Sequence, residues 1–416
     1  MARAACTIAS LNYLPYARTL CNSFLSFHPD YKFYVLLVDR CPPNVDLKDE
    51  NFEVVLVEEL GIPGFESIAF KYDVLELNTN VKASFLKSLL ARGIDQLIYF
   101  DPDIRLFQDV RFVFDLLDEH SILLTPHCTS PAGDNGQELE HSFLSNGVFN
   151  LGFIGVNSST ESIQFLNWWS QRCLSLGFSE ARTGLFVDQK WANLIPCLFE
   201  NVYLLKHKGC NVAHWNLFER QISPSDTSCY MVNGTDPLIF FHFSGFDPGE
   251  MDAVSKKGSV RITLTSRPDL KPLFDIYRQD LQANRLKELS SAKYAFGQFS
   301  NGVQISTLAR RVYATISAGA QSEDNPFDSS GPFYRFAARN RLIGQADSSQ
   351  KYDSRNYVKS DSRLRVIHAA FRALLFIFGN DRYTMFLKYL SHFSVLRNQD
   401  ALFRKTHYTF EETAEP

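Results

Sequence analysis

Two runs of apolar residues with no polar alternation, 33–38 and 54–57, constrain this chain more than any other feature. A strand that is apolar on both faces needs cover on both faces, and parallel sheets receive it from flanking helices. The first half of the chain supplies that cover. Helical spacing runs through 13–27, 79–91 and 162–176, and another helix is expected to begin at 187–194. In 79–91, Val81, Phe85, Leu86, Leu89 and Leu90 fall on one helix face. Strands are expected at 5–9, 96–100, 122–124 and 149–156, with 239–243 closing the sheet. Such alternation predicts an α/β fold with a mixed sheet flanked by helices. Beyond 265 the pattern turns helical, at 268–289, 308–316 and 364–378, with polar connectors at 321–332 and 345–356. A length of 416 residues suits two domains: an α/β domain over 1–265 and a mostly helical region over 266–416.

Composition removes several classes of function. A net charge of −4 gives no global attraction to nucleic acid, so no nucleic-acid partner is expected. The eight cysteines are scattered with no CxxC pair, which argues against a zinc site and for reduced thiols. The first ten residues lack the basic-then-apolar layout of a signal peptide, and no run reaches the roughly 18 apolar residues of a spanning helix. The expected location is therefore the cytoplasm. The chain has no GxxxxGK[ST] loop, no GxGxxG after the first strand and no GxSxG elbow, which removes ATPase, dehydrogenase and serine-hydrolase readings.

Chemistry is concentrated at Asp101-Pro102-Asp103, at the carboxyl end of the strand expected over 96–100. Open α/β sheets bind their ligands at that end. Residues two apart on an extended chain point to one side, so both carboxylates can reach one cation. Two carboxylates make a hard oxygen site for Mg²⁺ or Mn²⁺ with positions left for diphosphate oxygens. Taken alone, an Asp-x-Asp also marks an ordinary turn.

The run Tyr99-Phe100-Asp101-Pro102-Asp103-Ile104 resembles the strand and DxD segment of GT-A glycosyltransferases, especially glycosyltransferase family 8. Other segments resemble that family in the order it uses them. Thr7-Ile8-Ala9-Ser10 with Asn12 and Tyr13 is similar to the first strand and loop, which cradle the nucleotide base. Lys82 takes the place of a basic residue that contacts the donor. Phe149-Asn150-Leu151-Gly152 resembles the Phe-Asn-x-Gly segment near the donor sugar, and Asp188-Gln189 the Asp-Gln pair near the anomeric carbon. His214, Trp215 and Asn216 fall at a later Trp-Asn, read as the acceptor side. His242-Phe243-Ser244-Gly245 resembles the His-x-x-Gly element whose His completes the metal site.

The resemblance implies a Rossmann-like GT-A sheet and transfer of a sugar from a nucleotide donor, a UDP-sugar, to a glycan or lipid-linked acceptor. Bacterial polysaccharide assembly is the setting it suggests. It places Mn²⁺ (or Mg²⁺) on Asp101, Asp103 and His242, with Asp188 and Gln189 catalytic and Asn150 and Gly152 at the donor. One element departs from the family. Its members follow His-x-x-Gly with x-x-Lys-Pro-Trp, whose Lys touches the diphosphate, whereas Phe246-Asp247-Pro248 stands here. Lys256 and Lys257 follow a little later, and nothing in the spacing selects either.

Blander roles stay open beside these. His242 lies among Phe240, Phe241 and Phe243 as a core histidine would, and Asp188 suits a helix N-cap. A metal-dependent nucleotidyltransferase, or a non-catalytic sugar-binding descendant of the fold, would use the same cation site. At the other end, 363–405 carries Arg363, Arg365, Arg372, Arg382, Lys388, Arg397, Arg404 and Lys405 against Asp381 and Asp400. Either this is a helical segment packed on the catalytic domain with a basic outer face, or it lies on the anionic inner membrane leaflet, where a lipid-linked acceptor would be met.

Overall fold

A computed structural model describes residues 1–41, 47–134, 136–225, 229–258, 261–317, 325–343 and 362–403. The chain divides into two compact units, Met1–Phe65 with Val74–Ala295, and Glu66–Asp73 with Phe296–Pro416. This differs from a boundary at 265. The helix Lys271–Ala283 belongs to the first unit, where Phe274 and Tyr277 are buried in its core and the Tyr277 ring stacks on Phe243 at 3.8 Å.

The first unit is built on a seven-stranded mixed sheet flanked by helices, the architecture expected from the sequence. Its strands include β1 (Arg3–Ala9), β2 (Lys32–Leu37), β3 (Glu53–Leu56) and β4 (Gln96–Phe100). After the short β5 (Ile104–Leu106), which lies outside the sheet, come β6 (Ile122–Pro126) and β7 (Phe149–Asn157). The spatial order is Val202–Leu204, β6, β7, β4, β1, β2, β3. All neighbours pair in parallel except β7, which runs antiparallel to both β4 and β6. Both faces of β1, β2 and β4 are buried, which is why their sequences do not alternate. On one face, Ile98 and Phe100 join Leu20 and Phe24 of α1 (Leu14–Phe27) in one core cluster.

Two expected elements differ. Phe240–His242 does not close the sheet but pairs antiparallel with β5, with His242 opposite Ile104. Residues 187–194 do not open a regular helix. Val187 has a left-handed φ of 43°, and a 3-10 turn over Lys190–Leu194 leads into the short helix Ile195–Leu198.

In the second unit, Phe70 meets Phe299, Tyr313, Phe327 and Phe333 with ring centroids 4.7–5.6 Å apart. The buried Arg310 guanidinium donates to the carbonyls of Phe70, Tyr72 and Phe296 at 2.7, 2.7 and 2.6 Å. The helical span Ser362–Phe393 is interrupted at Gly379 (φ 72°, ψ 171°). Phe371 and Tyr383 lie 6.5 Å apart across the break. An unbroken helix would separate them by roughly 18 Å, so the chain folds back there. The expected connector 345–356, residues 321–324 of the other, and Arg404 and Lys405 lie outside the described residues. No helix among the described residues is long and apolar enough to cross a membrane.

Candidate active site

β4 ends in a turn. Pro102 occupies its second position, where a fixed φ is favourable, and Ile104 N–H donates to Asp101 O at 3.0 Å. The turn, and not an extended chain, is what gathers the two aspartates. Asp101 N–H donates to Gly152 O of β7 at 2.7 Å, and Phe243 N–H donates to Asp103 O at 2.8 Å. These bonds hold the turn between two strands and set His242 beside it. His242 Nε2 is 3.0 Å from Asp103 Oδ1 and 3.9 Å from Asp101 Oδ2. One ligand atom from each of Asp101, Asp103 and His242 lies within 4.8 Å of the others. The His242 side chain is 3% exposed, against 30% for Asp101 and 18% for Asp103, so the carboxylates form the open side. Burial pushes the Asp103 carboxyl up, yet His242 beside it and Lys257 beyond bring it below the usual value.

The network behind His242 prepares its ring to ligate. Asn211 Nδ2 donates to Thr125 Oγ1 at 2.9 Å and to Asn150 Oδ1 at 3.0 Å, so Asn211 Oδ1 is the acceptor facing His242 Nδ1 at 3.3 Å. A proton on Nδ1 leaves the Nε2 lone pair free toward the carboxylates, the arrangement a metal-bound histidine needs. Asn211 holds a left-handed φ of 54°, a conformation that asparagine tolerates better than most residues. Gly152 makes room for the ring: a Cβ there would stand 2.4 Å from His242 Cε1. The donor set, two carboxylates and one imidazole with an oriented tautomer, fits a divalent cation of the Mn²⁺ or Mg²⁺ kind.

Beside this cluster lies a buried ion pair. Lys82 Nζ is 2.7 Å from Asp188 Oδ2 and 3.8 Å from Asp101 Oδ1, and it donates to Leu151 O at 2.8 Å. Asp188 is therefore not a helix cap. Burial works to lower the Lys82 pKa, but Asp188 and Asp101 outweigh it and raise it. Burial also raises Asp188, with Lys82 opposing. Tyr99, on the same face of β4, donates from its hydroxyl to Asp101 Oδ1 at 2.7 Å and lies under the Lys82 ammonium, 4.3 Å from ring centroid to Nζ.

The remaining expected residues are placed unevenly. Gln189 Oε1 accepts from Leu151 N–H at 3.3 Å and its Nε2 donates to Asn146 O at 3.0 Å, beside Asn150. Trp215 packs edge-on to His242 at 5.1 Å, and His214 edge-on to Trp215 at 5.1 Å. Asn216 spends its amide on the backbone of His127, Asn211 and Ala213. Thr7 and Ala9 are buried in β1, and the Thr7 hydroxyl has no hydrogen-bond partner among the described residues. Ser10 Oγ donates to Asn12 Oδ1 at 2.7 Å. Tyr13 stacks on Tyr16 at 4.8 Å, and burial together with Asp103 and Asp101 pushes its phenol up to about 12.

Three residues of this constellation escaped the sequence reading: Tyr99, Asn211 and His127. Tyr99 was visible as the residue two before Asp101. His127, stacked on Phe143 at 5.1 Å and 3.5 Å from Asn150 Nδ2, follows the end of β6 with no motif to mark it.

No family model matches the chain. It is 27% identical over 285 residues to the uncharacterized protein YfnF of Bacillus subtilis (strain 168), covering 68% of this chain and 92% of that protein. Among solved structures it is similar to the galactosyltransferase LgtC in complex with donor and acceptor sugar analogues, at 13% identity and a TM-score of 0.39, over 70% of this chain and 97% of that one. It is also similar to the glycosyltransferase GlyE of Streptococcus pneumoniae TIGR4, at 15% identity and a TM-score of 0.40, over 75% of this chain and 72% of that one.

Proposed function

We propose that the chain is a metal-assisted glycosyltransferase that moves a sugar from a nucleotide-sugar donor, a UDP-sugar, to a glycan or lipid-linked acceptor. The observation that carries this reading is the Asp101–Asp103–His242 cluster beside the buried Lys82–Asp188 pair, at the carboxyl end of β4. The ordered motifs from Thr7 to Gly245 support the same reading. When bound there, Mn²⁺ or Mg²⁺ supplies Lewis-acid stabilisation of the negative charge on a diphosphate leaving group; the imidazole ligand favours Mn²⁺.

The chain's own groups divide the remaining work. Tyr13, near the two aspartates on the loop after β1, offers its ring to the base, and Ser10 and Asn12 line the same loop. Asn150, Asp188 and Gln189 orient the donor sugar, Asn150 and Gln189 through their joined amides, and the Asp188–Gln189 pair lies nearest the reacting carbon. Lys82 opposes the effect of burial on Asp188 and fixes its direction, while the Tyr99 hydroxyl fixes the direction of Asp101. His214 and Trp215 stand on the acceptor side. The 363–405 region meets the membrane: its folded-back helices expose Phe376, Ile377 and Phe378 next to Arg372 and Arg382, a pairing of apolar and basic groups suited to an anionic lipid surface. Bacterial surface-polysaccharide assembly at the inner membrane face is the setting this implies.

A thermal-shift panel of nucleotide sugars with and without Mn²⁺ tests the reading. Stabilisation by UDP-sugars that requires the metal is expected, worth about 2.7 kcal/mol at a ligand concentration of about a hundred times Kd. Absence of any response from every nucleotide sugar, with and without metal, overturns it.

A further inference from the structure

Two carboxylates at Asp101 and Asp103 offset the charge of one divalent cation, so the cluster leaves a departing diphosphate's own negative charge without a partner. A cation free of carboxylates is needed at the rim. Lys82 does not serve, being fully buried and committed to Asp188 and the Leu151 carbonyl. Lys256 is turned to Asp247, 2.6 Å from its Oδ2.

Lys257 is placed differently. The segment 255–257 is stitched onto the residues just after His242. Ser255 Oγ donates to Ser244 O at 2.7 Å, Lys256 N–H donates to Gly245 O at 2.9 Å, and Lys257 N–H donates to Ser255 Oγ at 2.9 Å. The Lys257 stem then crosses Gly245, where a Cβ would stand 3.0 Å from Lys257 Cγ and 2.5 Å from Ser255 Oγ. Gly245 also has a φ of +75°, so two independent constraints favour glycine there. The ammonium ends 3.1 Å from Ser244 Oγ, a neutral hydroxyl, and its charge is felt at Asp103. An exposed lysine is thus parked on a neutral hydroxyl just after His242, within electrostatic reach of Asp103.

We infer that Lys257 binds the diphosphate of the nucleotide, leaving Ser244 to do so, and that Lys256 takes no part. The assignment rests on the proposed function. It gives a chain that lacks a lysine shortly after Gly245 a cation delivered by a later segment folded back over that glycine.

Calorimetric titration of the Mn²⁺-loaded full chain with uridine, guanosine, thymidine and adenosine diphosphates tests it. For the diphosphate that binds, Lys257→Met is expected to weaken affinity about tenfold, the size of one charge-assisted hydrogen bond. Lys256→Met should stay within about twofold of the unaltered chain, and Lys257→Arg should recover most of the loss. Binding of the matching nucleoside and of Mn²⁺ alone should not respond to Lys257→Met. Equal diphosphate affinity in Lys257→Met and the unaltered chain, or an equal loss for the nucleoside, overturns the assignment while leaving the proposed function standing. Failure of every diphosphate to bind the unaltered chain removes both.

Discussion

Lys82 Nζ lies 2.7 Å from Asp188 Oδ2, and their side chains are 1% and 2% exposed. The pair joins the helix Lys82–Ala91 to the segment before the 3-10 turn at Lys190–Leu194, more than a hundred residues away. A buried charge is tolerated when paired and costly when alone. Lys82→Met is therefore expected to lose about 3–5 kcal/mol of stability, as is Asp188→Asn, through the charge each leaves behind. The double variant should lose less than the two single losses added together. Denaturant unfolding of the three variants reads this coupling, and strictly additive losses would remove the pair from the account.

Asn211 has a separate effect, on the metal. Its Oδ1 faces His242 Nδ1 at 3.3 Å, so it selects the tautomer that leaves Nε2 open. Asn211→Ala should weaken Mn²⁺ binding roughly 10–100-fold, the usual cost of losing such a supporting bond. Titration with Mn²⁺, on protein shown by circular dichroism to be folded, measures it. Unchanged Mn²⁺ affinity would show that the ring needs no such support.

Gly152 separates a packing role from a ligand role. A methyl at this position would come 2.4 Å from His242 Cε1 and 2.8 Å from Asn150 Oδ1, and β7 is a central strand that cannot easily yield. Gly152→Ala is expected to cost about 1–3 kcal/mol and to reduce Mn²⁺ affinity as well, because the displaced ring no longer meets Asp103. Stability lost with Mn²⁺ affinity retained would mean that the strand, not the ring, had moved.

These residues also mark how far the sequence can be read. The unalternating strands announce a sheet covered on both faces, and Asp101, Asp103 and His242 come together as their motifs suggest. The exchange of the strand Phe240–His242 from the main sheet to β5 is not legible, because a three-residue apolar run carries no record of its partner. Nor is the loan of Glu66–Asp73 to the second unit, since a short helix has the same composition in either place. The Lys82–Asp188 pair lies between distant segments of the chain, and Asn211 acts through one side-chain oxygen. Neither leaves a local pattern.

Burial pushes the His127 imidazole down to about 4, from an ordinary 6.5, with the nearby Val148 carbonyl opposing. Between those values the unfolded chain binds a proton that the folded chain does not. Stability from this group is thus complete above about pH 6.5 and is lost as pH falls toward about 4, by roughly 3 kcal/mol in all. His127→Gln has no proton to gain, so the difference in unfolding free energy between it and the unaltered chain should change across that window and level off above it. A difference that stays constant from pH 4 to pH 7 would contradict a buried neutral histidine.

The folded-back helices around Gly379 give the membrane reading a test of its own. Phe376 is 91% exposed and Ile377 and Phe378 are 68% and 50% exposed, an apolar tip that water does not favour. Arg365, Arg372, Arg382 and Lys388 are exposed on the same two helices, with Asp381 as an exposed counter-charge. Each basic group near an anionic surface is worth about 1 kcal/mol, and the apolar tip adds its own burial. Sedimentation with phosphatidylglycerol-containing vesicles should therefore capture the chain, and pure phosphatidylcholine vesicles should capture much less. Replacing Arg365, Arg372 and Arg382 by Ala should reduce binding to the anionic vesicles and remove most of its salt dependence, whereas Phe376→Ser with Phe378→Ser should reduce binding at every salt concentration. Equal sedimentation of all three proteins would assign these helices to contact with protein, and the acceptor would then have to reach the active site without the membrane bringing it there.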